Sequence, residues 1–388
     1  MGPETSIDLT ALLDKIAGQA AQADRSRTLD RDLVASIKQD PVSRLTACKL
    51  VGGVEATIQS CGEALESIAS KCTSTAWVLM NHLGQTHLIT ALLGDEHPSL
   101  LRQLVEERNL VCFPVGAGTS VEAVRSGPTI RLHGKSEFGS GARYADKAGV
   151  IFVLAGEDEA RFALVDLHHK GVEIEDNWRA MSLRASSTDT LHYNNVEIVD
   201  SASVPFPRMY REVFRRPRYP VISPRYREDW MAISNMWLGY MGVGLVQSCL
   251  DDVVENIRER TAFMGVRVAE RANVHMNIGH AQANISAARD SVRSVCAETD
   301  GRIDACIPPN ESDYFRQLGA AVSALKLCDE ALGLLVRVMG ANGLREGPAF
   351  ERRWRDFQAI PIHLNTHPDR VSEIIGRHIL GLSMEHTF

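Results

Sequence analysis

The spacing of apolar residues changes twice along the chain, and this restricts the fold more than any other feature. From Ile7 to about Leu104 apolar residues recur at i, i+3 and i+4, as in Ser60 to Ala69 and Thr75 to Leu93. An acidic start and Lys38 near the end mark an amphipathic helix after Leu29, and Gly52-Gly53 and Gly94-Asp95 punctuate the series. From Val111 to about Pro207 the pattern becomes strand-like. Thr129 to His133 alternates ahead of a Gly134-Lys135 turn, and Gly149 to Ala155, Arg161 to Val165 and Asp189 to Ile198 follow in kind. From Trp230 long helical periods return over Met231 to Arg260, His275 to Glu298 and Ser312 to Met339, each long enough to cross a four-helix bundle. A last helix starts at Pro368, a residue suited to a first helical turn.

The expected architecture is therefore α+β: a helical domain over 1–110, a small antiparallel β-barrel over 111–210 and a helical bundle over 225–388. The stretch from Pro205 to Trp230 is rich in Pro and Arg (Arg208, Arg211, Arg215, Arg216, Arg218, Arg225 and Arg227), and its prolines forbid a continuous helix. It reads as a solvated linker ahead of an anion-gripping flap.

Composition narrows the function by exclusion. A net charge of -7 gives no electrostatic footprint for nucleic acid. The start lacks a basic segment followed by an apolar core, and no apolar run reaches membrane-spanning length, so no membrane association and a cytoplasmic location are expected. The 8 cysteines contain no C-x-x-C pair and read as buried free thiols. His168 and His169 would point to opposite faces of a strand, and His275 and His280 are poorly spaced for chelation, so no metal is expected.

Several motifs then fall in a telling order. Gly134-Lys-Ser-Glu-Phe-Gly-Ser-Gly141 is followed by Trp178, by Met181-Ser-Leu-Arg-Ala-Ser-Ser-Thr-Asp189 and by Arg260-Thr-Ala-Phe263. Met339-Gly-Ala-Asn-Gly343 and Phe350-Glu-Arg-Arg-Trp-Arg-Asp356 close the series. Taken together, the series resembles the acyl-CoA dehydrogenase fold superfamily. The resemblance implies a flavin site, with Ser140, Gly141, Trp178, Ser186 and Ser187 around the isoalloxazine. It also implies Arg260, Phe263, Gly340 and Gly343 at the phosphate and ribose, usually across a subunit boundary of a homotetramer. The residue chemistry agrees: hydroxyl donors, an aromatic wall, a bidentate cation and glycines that permit close approach.

One departure decides the expected chemistry. Where many acyl-CoA dehydrogenases carry a catalytic Glu, the run Ile362-His363-Leu364-Asn365-Thr366 has Leu364, whose hydrocarbon cannot accept a proton. Asp251, Asp252 and Glu255 could relocate such a base, which keeps an acyl-CoA dehydrogenase or oxidase as the alternative.

His363 and the run Ile374 to Gly381 are similar instead to the flavin-dependent monooxygenase branch. That resemblance implies reduced FMN or FAD delivered by a separate NAD(P)H-dependent flavin reductase. It also implies O2 as co-substrate and oxygen transfer from a flavin C4a-hydroperoxide to a small electron-rich substrate. His363 and His87 are the expected catalytic residues, His363 as an acceptor of the substrate's proton. Asn81, His82, Leu364 and Asn365 are the expected substrate contacts; the segment Trp77 to His87 leaves open which of His82 and His87 faces the pocket.

Overall fold

The computed structural model describes residues 8–96, 98–207, 210–218, 220–221 and 223–382, without the side chains of Glu96 and Phe263. Five helices open the chain: α1 (Thr10–Ser26), α2 (Arg31–Gln39), α3 (Ile58–Lys71), α4 (Thr73–Leu93) and α5 (Pro98–Glu106). Local chemistry sets their starts. Asp30 caps α2 by accepting the Asp32 N–H, and Thr57 caps α3 by accepting the Ser60 N–H. Helix α4 is different in kind, because every residue but Asn81 is buried. A helix enclosed on all sides carries no apolar stripe.

Eight strands follow: β1 (Val111–Cys112), β2 (Ser120–Ser126), β3 (Thr129–Gly139), β4 (Lys147–Leu154), β5 (Ala160–Asp166), β6 (Val172–Glu175), β7 (Asp189–Val199) and β8 (Ser203–Phe206). They form one sheet in the order β6-β7-β3-β2-β4-β5-β8, with β1 beside β4. This corrects the expected antiparallel barrel. Two pairings, β1 with β4 and β2 with β4, are parallel, and β6 and β8 end the path without pairing to each other. Alternation within strands reports burial and is blind to partner direction. A register shift between Ser136 and Gly139 against β7 leaves Phe138 left-handed at φ 60°, and the chain turns there toward α4.

The short α6 (Glu212–Arg215) leads to α7 (Trp230–Arg258), α8 (Ala272–Asp304), α9 (Glu311–Met339), α10 (Ala349–Phe357) and α11 (Pro368–Ile379). A reciprocal capping box between Asn310 and Asp313 starts α9. Helices α3 and α7 approach closely: a Cβ on Gly244 would stand 2.1 Å from the Glu66 carbonyl oxygen, and one on Gly62 2.5 Å from the Tyr240 ring. One apolar core consequently runs from α1, α3 and α4 through α7, α8 and α9 to α10. Arginines of the Pro-rich stretch are engaged by the protein: Arg211 pairs with Asp229 at 3.0 Å, and buried Arg225 donates to the Ala56 carbonyl. Arg208 lies outside the described residues. Among the described residues no helix is long and apolar enough to cross a membrane, and no His, Cys, Asp and Glu cluster could hold a metal.

Candidate active site

The site is assembled where α4, the β3 turn and the loop after α10 meet. Trp77 of α4 donates its indole N–H to Ser140 Oγ at 3.0 Å, and its ring meets His363 edge-on at 5.2 Å between centroids. From Ser140 the hydroxyls continue to Thr188 at 3.1 Å and on to Ser186 at 2.7 Å. Beside them Phe138, 54% exposed, stands against half-buried Trp178 with centroids 6.4 Å apart. Aromatic faces beside a row of hydroxyls fit the edge and plane of an isoalloxazine.

Left-handed backbone concentrates here, at Phe138, Gly141, Leu183 and Ser187. Such conformations persist only where surrounding structure enforces them. Gly141, at φ 84°, also lets Val78 of α4 come within 3.1 Å of where a Cβ would sit.

His363 is half-buried, and its Nδ1 accepts the Asn365 N–H at 3.3 Å. The ring proton is thereby assigned to Nε2, which makes His363 a donor. Burial holds this imidazole down to about 4, so it is neutral near pH 7. The sequence reading made it a proton acceptor; the Asn365 N–H occupies the nitrogen that role requires. Asn365 is in turn fixed through its carbonyl, which accepts from Asn235 Nδ2 at 2.7 Å.

The other two histidines are corrections. His82 donates from Nε2 to the Ser43 carbonyl at 2.7 Å and accepts the Val111 N–H on Nδ1 at 3.0 Å, leaving no ring nitrogen for substrate. His87 is fully buried, bonded through Nε2 to the Glu228 carbonyl at 2.9 Å and packed against Phe214 and Tyr226. Burial lowers both, to about 4 for His82 and about 3 for His87. They splice α4 to the segments around it.

Ser187 is likewise consumed, donating to Asp189 at 2.6 Å and accepting from Arg143. Asn81 lies at the single partly open position of α4, while Leu364 is exposed beside a cavity of about 10 Å³ that Asn235 and Asn365 also line.

The residues expected at the phosphate end form a separate cluster. Arg260 donates to the Met339 carbonyl at 3.1 Å, which puts it beside left-handed Gly340. Arg260 follows the C-terminal end of α7, whereas the His363 loop is held by Asn235 near its start. A Cβ on Gly343 would meet Met339 at 2.9 Å and the Phe350 ring at 3.0 Å, so its small size also serves packing within the chain. The Phe263 side chain lies outside the described residues. Of the relocated-base candidates, Asp252 is ion-paired to Arg353, Asp251 accepts from Gln247, and Glu255 is exposed.

Phe138 was missed by sequence reasoning, because it continues the alternation of Ile130 and Leu132 and only the register shift exposes it. Gln85 was missed as well; it sits one turn beyond Asn81.

Comparison with known proteins accords with this geometry. Residues 236–368 match the family model "Acyl-CoA dehydrogenase, C-terminal domain". The p-hydroxyphenylacetate 3-hydroxylase oxygenase component of Acinetobacter baumannii is 24% identical over 97% of this chain and 89% of that protein. XiaF from Streptomyces sp., solved with FADH2 and glycerol, superposes with a TM-score of 0.85 at 21% identity over 97% of this chain and 94% of that one. FMN-bound TdsC from Paenibacillus sp. A11-2 does so at 0.83 and 18% over 96% of each. The chain thus has an acyl-CoA dehydrogenase-like fold, and its residues 236–368 are similar to the C-terminal domain of those enzymes. Its similarity over nearly its whole length is to flavin-dependent hydroxylase and monooxygenase oxygenase components, as the motif resemblance implies.

Proposed function

We propose that this chain is the oxygenase component of a two-component flavin-dependent monooxygenase, acting on a small electron-rich substrate such as a phenol, another aromatic or an amine. The observation that carries it is the convergence of Trp77, Ser140 and His363 at a site whose expected carboxylate position is Leu364. The described members of that site include no base for α-proton removal.

The group that fits the hydroxyls and aromatic faces is reduced FMN or FAD from an NAD(P)H-dependent reductase; when bound it supplies the two electrons and activates O2. One oxygen atom then enters the substrate and the other leaves as water. The chain's own residues do the positioning. Ser140, fixed between Trp77 and Thr188, orients the ring edge, and Phe138 with Trp178 forms the wall. His363 presents its Nε2–H to the substrate's polar atom and steadies the charge that develops there. The placement of Arg260 and the His363 loop at opposite ends of α7 supports completion of each site by a second copy, as in a homotetramer.

The test is turnover of phenols and indole with 18O2, NADH and a flavin reductase. The label is expected in the product, with no product when reductase or oxygen is omitted. Product formed without oxygen, or bleaching of bound FAD by an acyl-CoA without reductant, overturns the reading.

A further inference from the structure

Five side-chain oxygens on α4 and α7 are buried without a partner; besides those of Thr75 and Tyr240, three lie on Gln85, Ser234 and Asn235, near where Gly84 of α4 meets Ser234 of α7. On α4, Gln85 is 2% exposed and its Oε1 has no hydrogen bond. On α7, the same holds for Ser234 Oγ at 2% and Asn235 Oδ1 at 0%. Buried polar atoms are nearly always satisfied, so three such oxygens in one region mark a place where something else supplies the donors. The helices that carry them touch. Gly84, next to Gln85, faces Ser234, whose Oγ is 3.1 Å from where a glycine Cβ would sit. Asn235 holds the Asn365 carbonyl, Asn365 donates to His363, and His363 meets Trp77, which returns the circuit to α4.

Helical geometry places Gln85 on the side of α4 that faces the site. Val78, two turns back at i-7, packs toward Gly141, and Asn81 at i-4 is the one position of α4 that is not buried. His82 and His87 point elsewhere, to Ser43 and Glu228. Asn81, the partly open position, therefore lies one turn from Gln85 on the same side of α4.

We propose that Gln85 is the specificity-determining residue of this pocket, accepting a hydrogen bond from the hydroxyl or ring N–H of an aromatic substrate, with Ser234 and Asn235 as the adjoining polar groups. The proposal rests on the reading of the Trp77–Ser140–His363 site as the oxygenase pocket. The group that meets Gln85 is uncharged because Trp77, Asn81, Gln85 and Ser234 include no Lys, Arg, Asp or Glu to pair with it, while Arg370 lines the cavity beside Asn235, Leu364 and Asn365. It is a donor because the unpartnered Gln85 and Asn235 atoms are amide oxygens, which only accept, and leaving a buried acceptor unpaired is what penalises an analogue that lacks the proton.

The experiment is calorimetric titration of the full-length protein with two matched pairs, indole with 1-methylindole and phenol with anisole. The uncapped member of each pair is expected to bind about tenfold more tightly to the unaltered protein. In Gln85→Met, of similar length, that preference falls to within about twofold; in Gln85→Glu, which keeps an acceptor, it is retained. Thermal melting confirms that each variant is folded. Equal affinities within a pair for the unaltered protein, no binding of any probe, or a preference that survives Gln85→Met overturns the proposal. Oxygen transfer is scored separately: labelled product alongside an unaltered preference in Gln85→Met removes the role of Gln85 and leaves the monooxygenase reading standing.

Discussion

At the scale of single residues, the site turns on which histidine nitrogen is free. His363 gives Nδ1 to Asn365 and keeps Nε2 for a bound molecule, whereas His82 is bonded through both nitrogens and His87 is sealed in the core. His363→Leu is expected to lower kcat about a hundredfold, while His363→Gln, which retains an N–H donor, stays within about tenfold. Since this imidazole is held down to about 4, the rate should show no inflection near pH 6.5 that disappears in His363→Leu. A pH–rate series on both variants decides this. The three histidines also shape stability. Their folded pKa values lie below the unfolded value of about 6.5, so the unfolded chain binds more protons between roughly pH 4 and 6.5 and their contribution is lost as pH falls through that window. The motif order exposed His363, because it follows the Arg-Asp helix in sequence. It could not separate His82, His87 and Gln85, because a helix buried all round has no polar face to distinguish them.

At the scale of elements, helix α10 controls the flavin wall from behind. Asp356 accepts the Leu183 N–H at 2.7 Å, and the Leu183 carbonyl accepts the Trp178 indole N–H at 2.9 Å. Arg355 adds a hydrogen bond to the Met181 carbonyl and a 2.9 Å ion pair to Asp24 of α1. Asp356→Leu strands the Leu183 N–H, and a loss of about 1–3 kcal/mol is expected, with flavin affinity falling because Trp178 is no longer fixed. Asp356→Asn keeps an acceptor and should restore most of both, as read by thermal melting and flavin titration. The pH signature runs opposite to that of the histidines. Burial raises the Asp356 carboxyl to about 7, so its contribution is present in acid and lost as pH rises from about 4 through 7. Asp356→Asn cannot titrate, and its Tm should rise more steeply with pH across that window than that of the unaltered protein. The elements themselves were largely legible, since helix and strand periods and the capping residues are local. The parallel pairing of β2 with β4 was not, because it joins residues about thirty positions apart and leaves no trace in either strand's alternation.

At the scale of the whole molecule, two observations bear on assembly. The C-terminal half exposes large apolar side chains, among them Met264 at 85%, Ile379 at 75%, Leu380 at 73% and Ile362 at 70%. Where contiguous, such side chains are characteristic of surfaces that meet another chain, as at the adjoining Ile379 and Leu380. Arg260, meanwhile, donates to the Met339 carbonyl beyond the C-terminal end of α7, whereas the His363 loop is held by Asn235 near its start. If a second copy brings its Arg260 to the first copy's Ser140 and His363, two inactive proteins should complement each other. Arg260→Ala and His363→Leu are each expected to be nearly inactive alone. Unfolded and refolded together in equal amounts, they would form some sites with an intact His363 from one chain and an intact Arg260 from another. Random pairing restores roughly a quarter of full activity, given one neighbour per site. Were Arg260 instead to act within its own chain, every site with a good His363 would carry the defective Arg260, and the mixture would be no more active than its parts.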